Sequence, residues 1–130
     1  MTDANPCFQE TDFNGLLPPE GYHRSVVDCA RFRKSSRGNM TLQVIYQLPD
    51  APAGYDSVAD YFVVSGASPR GLAVSRRRLL ELYRACGFHP QQGDPIRPDD
   101  LVGSQLEIRL GHESFEGALR LRVLGYRALP

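Results

Sequence analysis

The side chains of this 130-residue sequence that are best suited to binding chemistry are its arginines, which make up all but one of the fifteen basic residues. They gather in two stretches, residues 24–37 and 70–84, and each stretch contains a single acid, Asp28 or Glu81. Acidic and basic residues are equal in number, so the formal net charge is zero. The clustering therefore predicts a basic face that the net charge conceals, although a GC-rich genome would also enrich arginine.

The first basic stretch has the composition of a site for single-stranded nucleic acid, which needs cations for phosphates and flat rings for bases. Its cations lie in and beside a predicted turn at residues 33–39. A solvated turn and buried rings are the alternative interpretations, and burial is favoured for Tyr61. Phe115 lies between Glu113 and Glu116, which favours contact with a partner protein or simple exposure. The predicted nucleic-acid-binding residues are Arg31, Phe32, Arg33, Lys34, Arg37, Tyr55, Tyr61 and Phe115.

The second basic stretch contains Arg76, Arg77 and Arg78, which are consecutive within a predicted helix. Three consecutive side chains spread over about 200° of a helix, so they cannot form one compact patch. A solvated helix face is therefore the favoured interpretation. Contact with phosphate or with an acidic partner protein through this face is the second.

Residue types for catalysis or metal binding are scattered along the chain. His23, His89 and His112 fall in a predicted strand, a loop and a turn, where solvated or hydrogen-bonded histidines are expected rather than zinc ligands. The sequence has no Gly-rich phosphate loop and no evident nucleophile with its base. It predicts a protein without enzyme activity, with no catalytic residue, no metal and no cofactor.

The three cysteines, Cys7, Cys29 and Cys86, are odd in number and far apart, which does not suit a set of disulfides. We expect them to be reduced thiols in a cytoplasmic protein. The N-terminus lacks the basic and apolar segments of a signal peptide, and no apolar run reaches the length of about 18 residues that predicts a membrane span. Secretion and membrane insertion are therefore not expected.

Alternation of apolar and polar residues predicts strands on both sides of the first basic turn. The strand at residues 22–32 has apolar residues on both faces, which a β-bulge would explain. The next strand, residues 40–48, alternates most regularly and places its even-numbered side chains inward. Its predicted buried residues are Leu42, Val44 and Tyr46, and its predicted exposed residues are Thr41 and Gln43.

A third strand at residues 58–64 has two equally apolar faces, so its inward side stays open. A helix is predicted at residues 68–86, with Ser68 as N-cap and Gly87 at its end, and a later start at Ser75 is the alternative. Two more alternating strands follow it, near residues 105–110 and 119–123. The apolar stripe of the helix contains Leu72, Leu79, Leu80, Tyr83 and Cys86.

The resulting order, β-β-β-α-β-β, predicts a mainly β fold. A five-stranded Greek-key barrel of the OB type has this order, with one helix between strands three and four. A flat antiparallel sheet with the helix on one face is the competing arrangement. Residues 1–19 are predicted to form a partly disordered arm from which Phe13, Leu16 and Leu17 dock, and residues 20–130 form the barrel domain.

Five segments, taken in order, also carry a likeness to a known family: LLPPEGYHRSVV, RKSSRGNMTLQVIYQL, LLELYRACGF, DDLVGSQLEIRL and VLGYRAL. Together they span about residues 16–129, and they resemble a widespread phage and prophage family long described only as a domain of unknown function. The resemblance implies an OB-like protein that binds single-stranded DNA in phage-type replication or recombination. The chain departs from the family's usual Lys- and Glu-rich composition, because it has a single lysine, Lys34, and its loop at residues 49–56 is rich in proline and alanine.

Two functions follow from these observations. The first is binding of single-stranded DNA or RNA in a groove between the first and last hairpin loops, which the basic first turn favours. The second is a non-catalytic adaptor or structural domain that binds a partner protein through the arginine-rich helix or an exposed strand edge, which the neutral net charge favours. Either function is compatible with a homo-oligomer.

Overall fold

A computed structural model describes residues 6–9 and 17–130 of the protein. Within these residues the chain forms five strands and one α-helix, in the predicted β-β-β-α-β-β order. A single 3-10 turn precedes the fourth strand. The elements are β1 (Gly21–Lys34), β2 (Met40–Gln47), β3 (Ser57–Ser65), α1 (Pro69–Ala85), the 3-10 turn (Pro98–Leu101), β4 (Gln105–Phe115) and β5 (Ala118–Arg127).

The five strands form one antiparallel sheet in the order β3-β2-β1-β4-β5. Strands β3 and β5 are its two edges, and no backbone ladder joins them within the described residues. The mainly β class and the single helix between β3 and β4 are therefore confirmed for this part of the chain. The predicted barrel is not confirmed, because the sheet is not closed.

Strand β1 reaches both halves of the sheet because its register shifts between Val27 and Cys29. On one side of this irregularity Val27 faces the core, and on the other side Ala30 does. A bulge adds one residue and so exchanges the two faces of a strand. The predicted bulge is confirmed, and it explains why the buried residues Val27 and Ala30 have opposite parity.

Strand β2 supplies the centre of the core. Leu42, Val44 and Tyr46 are fully buried, as their alternation predicts, and they pack with residues of β4 and α1. The opposite face departs from the prediction. Gln43 is wrongly predicted to be exposed, since it is only 7% accessible, and Thr41 is half-buried. The cause lies in the side chains that cover Gln43, which are described below.

Helix α1 begins and ends where local signals predict. The Ser68 hydroxyl accepts a hydrogen bond from the backbone N–H of Gly71, and Pro69 occupies the first helical position. Gly87 has a φ of 95°, and the N–H of Phe88 donates to the Tyr83 carbonyl, which is a Schellman ending. The helix therefore runs its full predicted length rather than starting at Ser75.

The buried face of α1 differs in part from its predicted apolar stripe. Leu79 and Tyr83 are buried as expected, whereas Leu72, Leu80 and Cys86 are only half-buried. The helix places Leu82, which lies outside the predicted stripe, fully in the core. The buried residues of α1 are Ser75, Leu79, Leu82, Tyr83 and Ala85.

The segment before β1 packs against the β4 end of the sheet. Pro18 is buried, and its carbonyl oxygen lies 2.7 Å from Nε2 of His112. Leu17 is half-buried, whereas Phe13 and Leu16 lie outside the described residues, as does most of the arm predicted at residues 1–19. No helix among the described residues is long and apolar enough to cross a membrane.

Candidate nucleic-acid interface

Three of the predicted binding residues meet around Gln43 on the outer face of β1, β2 and β3. Arg31, Gln43 and Tyr61 lie side by side in the registers of the three strands. The Gln43 Oε1 accepts hydrogen bonds from Arg31 Nε at 3.2 Å and from Arg33 Nη1 at 3.3 Å. The Gln43 Nε2 donates to the Tyr61 hydroxyl at 3.0 Å. We call Arg31, Arg33, Gln43 and Tyr61 the outer-face cluster.

The outer-face cluster concentrates positive charge. Among the described residues, no carboxylate lies within ion-pair distance of Arg31 or Arg33, whereas five other arginines pair with an acid. Both guanidinium groups instead donate to one neutral amide oxygen. Two like charges held close together without an anion form a local site of positive potential, which attracts anionic ligands.

Tyr61 presents an open ring beside these charges. Its side chain is 54% exposed, so the interpretation of Tyr61 as a core residue is wrong. The even-numbered residues of β3 face inward instead, with Phe62 fully buried and Val64 buried. Alternation along the strand then places Tyr61 outward, where its ring is exposed.

A cleft of about 940 Å³ separates the two edge strands β3 and β5. Tyr55 and Tyr61 lie on its β3 side, and Arg120 and Arg122 lie on its β5 side, with Glu113 of β4 beside them. Tyr61 belongs both to this cleft and to the outer-face cluster. The two surfaces therefore meet at Tyr61.

A polar group bridges the core side of the same cleft. Asp60 of β3 accepts hydrogen bonds from the Tyr126 hydroxyl of β5 and from Arg78 of α1, the latter at 2.8 Å. The Arg78 guanidinium also lies over the Phe62 ring, 5.0 Å from its centroid. Burial, and next the nearby Asp60 carboxylate, raises the pKa of Tyr126 well above its usual value. The group thus keeps Tyr126 neutral and ties both edge strands to the helix.

The three consecutive arginines of α1 differ in exposure: Arg76 and Arg77 are exposed, as a solvated helix face predicts, whereas Arg78 is half-buried. Arg78 donates hydrogen bonds to Asp60 and to the Tyr126 hydroxyl, and Arg76 donates to the Val64 carbonyl at 2.9 Å. Arg77 alone of the three is exposed without a hydrogen bond or an ion pair among the described residues. Arg78 also lines the cleft, so this helix is not remote from the candidate interface.

Three other predicted residues lie apart from the outer-face cluster. Phe32 follows the inward parity of β1, opposite Leu42, and its 43%-exposed ring lines a second cavity of about 670 Å³ with Met40 and Ile96. Lys34 ends β1 and Arg37 lies in the following turn, and both are exposed. The structure therefore does not place Phe32 beside Arg31 and Arg33, because neighbouring residues of a strand face opposite sides.

Phe115 lies at the last position of β4, next to the tight turn of the β4–β5 hairpin. It is half-exposed, and the Arg120 guanidinium lies over its ring, 4.3 Å from the centroid. Arg120 also forms an ion pair with Glu113. The ring thus holds a cation of the cleft in place and is less open to a base than Tyr61.

Sequence reasoning missed Gln43, Arg120 and Arg122 as candidate binding residues. The two arginines do carry a signal, since their spacing of two places both on one face of a strand. Gln43 carries none, because an uncharged polar residue in an alternating strand has the pattern of an ordinary surface position.

The described residues contain no cluster of three or more histidine, cysteine, aspartate or glutamate side chains that could hold a metal ion. Burial raises the pKa of the Cys86 thiol to about 11, so little thiolate forms at neutral pH. No protein-family model and no curated protein matches the chain. The resemblance to a phage family therefore stays a prediction.

Proposed function

We propose that this protein binds single-stranded nucleic acid, with single-stranded DNA as the first candidate, on the outer face of β1, β2 and β3. The observation that carries the proposal is the outer-face cluster: Arg31 and Arg33, without carboxylate partners among the described residues, beside the exposed ring of Tyr61. Cations along a groove and an open aromatic ring are the two elements of non-specific single-strand binding.

We propose for the fold an OB-like Greek-key barrel that is open between β3 and β5. Its support is the strand order β3-β2-β1-β4-β5, which becomes the circular order of the five-stranded OB barrel if the two edges are joined. The bridge from Asp60 to Tyr126 and Arg78 supplies a side-chain link at the position where backbone pairing would close the barrel.

In the proposed complex, Arg31 and Arg33 contact successive phosphates and one base stacks on Tyr61. Gln43 acts as a positioning residue, because its amide orients both guanidinium groups and the Tyr61 hydroxyl at the same time. A single strand can turn its bases onto such a ring, whereas the bases of a duplex are already stacked. The protein should therefore prefer single strands to duplexes of equal length.

A salt titration of oligonucleotide binding tests the proposal. For a single strand the slope of log K against log salt is about 0.7 per phosphate neutralised, so R31A/R33A should lower its magnitude by about 1.4. The matched control is R70A/R77A, which removes two exposed charges from α1 and should leave the slope unchanged. Fluorescence anisotropy with labelled single-stranded DNA, single-stranded RNA and duplex DNA measures all of these values.

The ring is tested separately from the charges. Tyr61→Ala should weaken binding by about 1 to 3 kcal/mol, the usual contribution of one stacked base, while Tyr61→Phe keeps the ring and most of the affinity. Equal losses in Tyr61→Ala and Tyr61→Phe would assign the effect to the Gln43 hydrogen bond and would remove stacking from the proposal. Absence of binding by the wild-type protein at low salt would overturn the proposal as a whole.

A second candidate function is that of an adaptor domain for a partner protein. The observation that favours it is the apolar rim of the second cavity, where Phe32 and Met40 are exposed next to Ile96. If oligonucleotides fail to bind at low salt, this surface becomes the candidate site. The role in phage-type replication or recombination that the sequence resemblance implies depends on the first function and stays a prediction.

A further inference from the structure

The cleft between β3 and β5 contains a second group of arginines that the proposed interface does not use. Arg120 Nε donates to Glu113 Oε1 at 2.7 Å, and Arg122 Nη1 lies 3.6 Å from Glu113 Oε2. One carboxylate thus faces two guanidinium groups, so the group keeps an excess of one positive charge. Both arginine side chains are more than half exposed at the cleft, whereas Glu113 is mostly covered.

A similar arrangement elsewhere on β4 and β5 provides an internal comparison. Glu107 pairs with Arg127 at 2.7 Å, and the Arg127 guanidinium lies over the Tyr22 ring, much as Arg120 lies over Phe115. This pair has one arginine for one carboxylate, and it lies outside the cleft. The excess positive charge and the position in the cleft that Tyr61 also lines therefore distinguish the Glu113 group.

We infer that Arg120 and Arg122 form a second phosphate-binding site for the same nucleic-acid strand, and that Glu113 occupies both guanidinium groups until a phosphodiester displaces it. The inference rests on the proposed function. Tyr61 links the two regions, because it belongs to the outer-face cluster and also lines the cleft. In the inferred complex, a strand with one base on Tyr61 follows the cleft that Tyr61 lines, and its next phosphates contact Arg120 and Arg122.

The role of Glu113 follows from competition between two anions for one pair of cations. Guanidinium groups bind phosphate and carboxylate with the same forked geometry, so the bound carboxylate must leave when the phosphate arrives. Glu113 therefore lowers the affinity for the strand without changing the number of phosphates that the strand contacts. Its removal should raise the affinity and leave the salt slope unchanged.

The test compares Glu113→Gln with Glu107→Gln by anisotropy with single-stranded DNA in 150 mM salt. We expect E113Q to bind about two- to fivefold more tightly, the factor that one exposed ion pair typically represents. E107Q makes the same change in net charge and should bind as the wild type does, because distant charges are screened at this salt concentration.

The arginines are tested with R120A/R122A, and R109A/R127A serves as the control on the same two strands. R120A/R122A should lower the magnitude of the salt slope by about 1.4, since two phosphates lose their cations. Circular dichroism and thermal midpoints establish that each variant folds. The double variant Arg120→Lys/Arg122→Lys keeps both charges and should therefore retain most of the wild-type salt slope.

The outcomes separate this inference from the proposed function. Wild-type binding that depends on Arg31 and Arg33 but not on Arg120 and Arg122 would overturn the second site and leave the first. An equal gain in E113Q and E107Q would assign the effect to net charge and would overturn the role of Glu113. A protein that binds no single strand would overturn both proposals.

Discussion

Replacing Asp60 with alanine removes the carboxylate that ties both edge strands of the sheet to helix α1. Its side chain is 13% exposed and accepts hydrogen bonds from Tyr126 and from Arg78, which is 35% exposed. Each hydrogen bond to a charged group contributes about 1.5 to 3 kcal/mol, and partial solvation of Arg78 reduces this value. We therefore expect D60A to lower the free energy of unfolding by about 2 to 4 kcal/mol.

Urea and thermal denaturation measure this change. For a domain of this size, each kcal/mol corresponds to about 3 to 5 °C, so the thermal midpoint should fall by about 6 to 20 °C. The control is Asp50→Ala, which breaks the solvent-exposed pair with Arg24 and should cost less than about 1 kcal/mol. A D60A protein as stable as D50A would refute the bridge between the edge strands.

Two further predictions concern the core and the buried phenols. Leu42→Ala should lower the free energy of unfolding by about 2 to 5 kcal/mol, because it leaves a cavity at a fully buried site. The control, Val74→Ala on the exposed face of α1, should lower it far less. Chemical denaturation measures both free energies. Burial raises the pKa of Tyr126 above that of the unfolded chain, so the folded state favours the neutral phenol. The resulting stabilisation is complete below about pH 10, where the phenol of the unfolded chain is also neutral, and it is lost as the pH rises further. Thermal midpoints measured from pH 9 to 12 should therefore fall more steeply for the wild type than for Tyr126→Phe, and parallel curves would contradict this account.

Much of the fold could be predicted from the sequence because its signals are local. The alternation in β2 identifies its buried side chains, and Ser68 and Gly87 mark the ends of α1 through hydrogen bonds to nearby backbone. The bulge in β1 also leaves a local trace, since it exchanges the parity of apolar residues. Each of these signals spans only a few residues and depends on backbone geometry that any protein shares.

The candidate site could be predicted only in part. Residue type and a position beside the first turn predict Arg31 and Arg33, residue type predicts Tyr61, and the three side chains meet in space. Phe32 is predicted as a second stacking ring of this site, but it does not lie beside Arg31 and Arg33, because a strand points adjacent side chains in opposite directions. The role of Gln43 depends on its contacts with two arginines and a tyrosine of neighbouring strands. The sequence pattern of β2 does not predict these contacts.

The amino-acid sequence by itself determined where the five strands lie and where the helix begins and ends, because caps, turns and alternation act between residues that are close along the chain. It did not determine the ends of β4 and β5, which extend to Phe115 and Arg127, beyond the predicted residues 105–110 and 119–123. Tertiary structure alone decided which face of β3 points inward, since both faces are apolar. With the even-numbered face of β3 inward, Asp60 forms its long-range contacts with Arg78 and Tyr126. The same orientation of β3 places Tyr61 on the outer face beside Gln43. The binding face therefore arises from packing between elements that are distant in sequence, and this packing exists only in the folded chain.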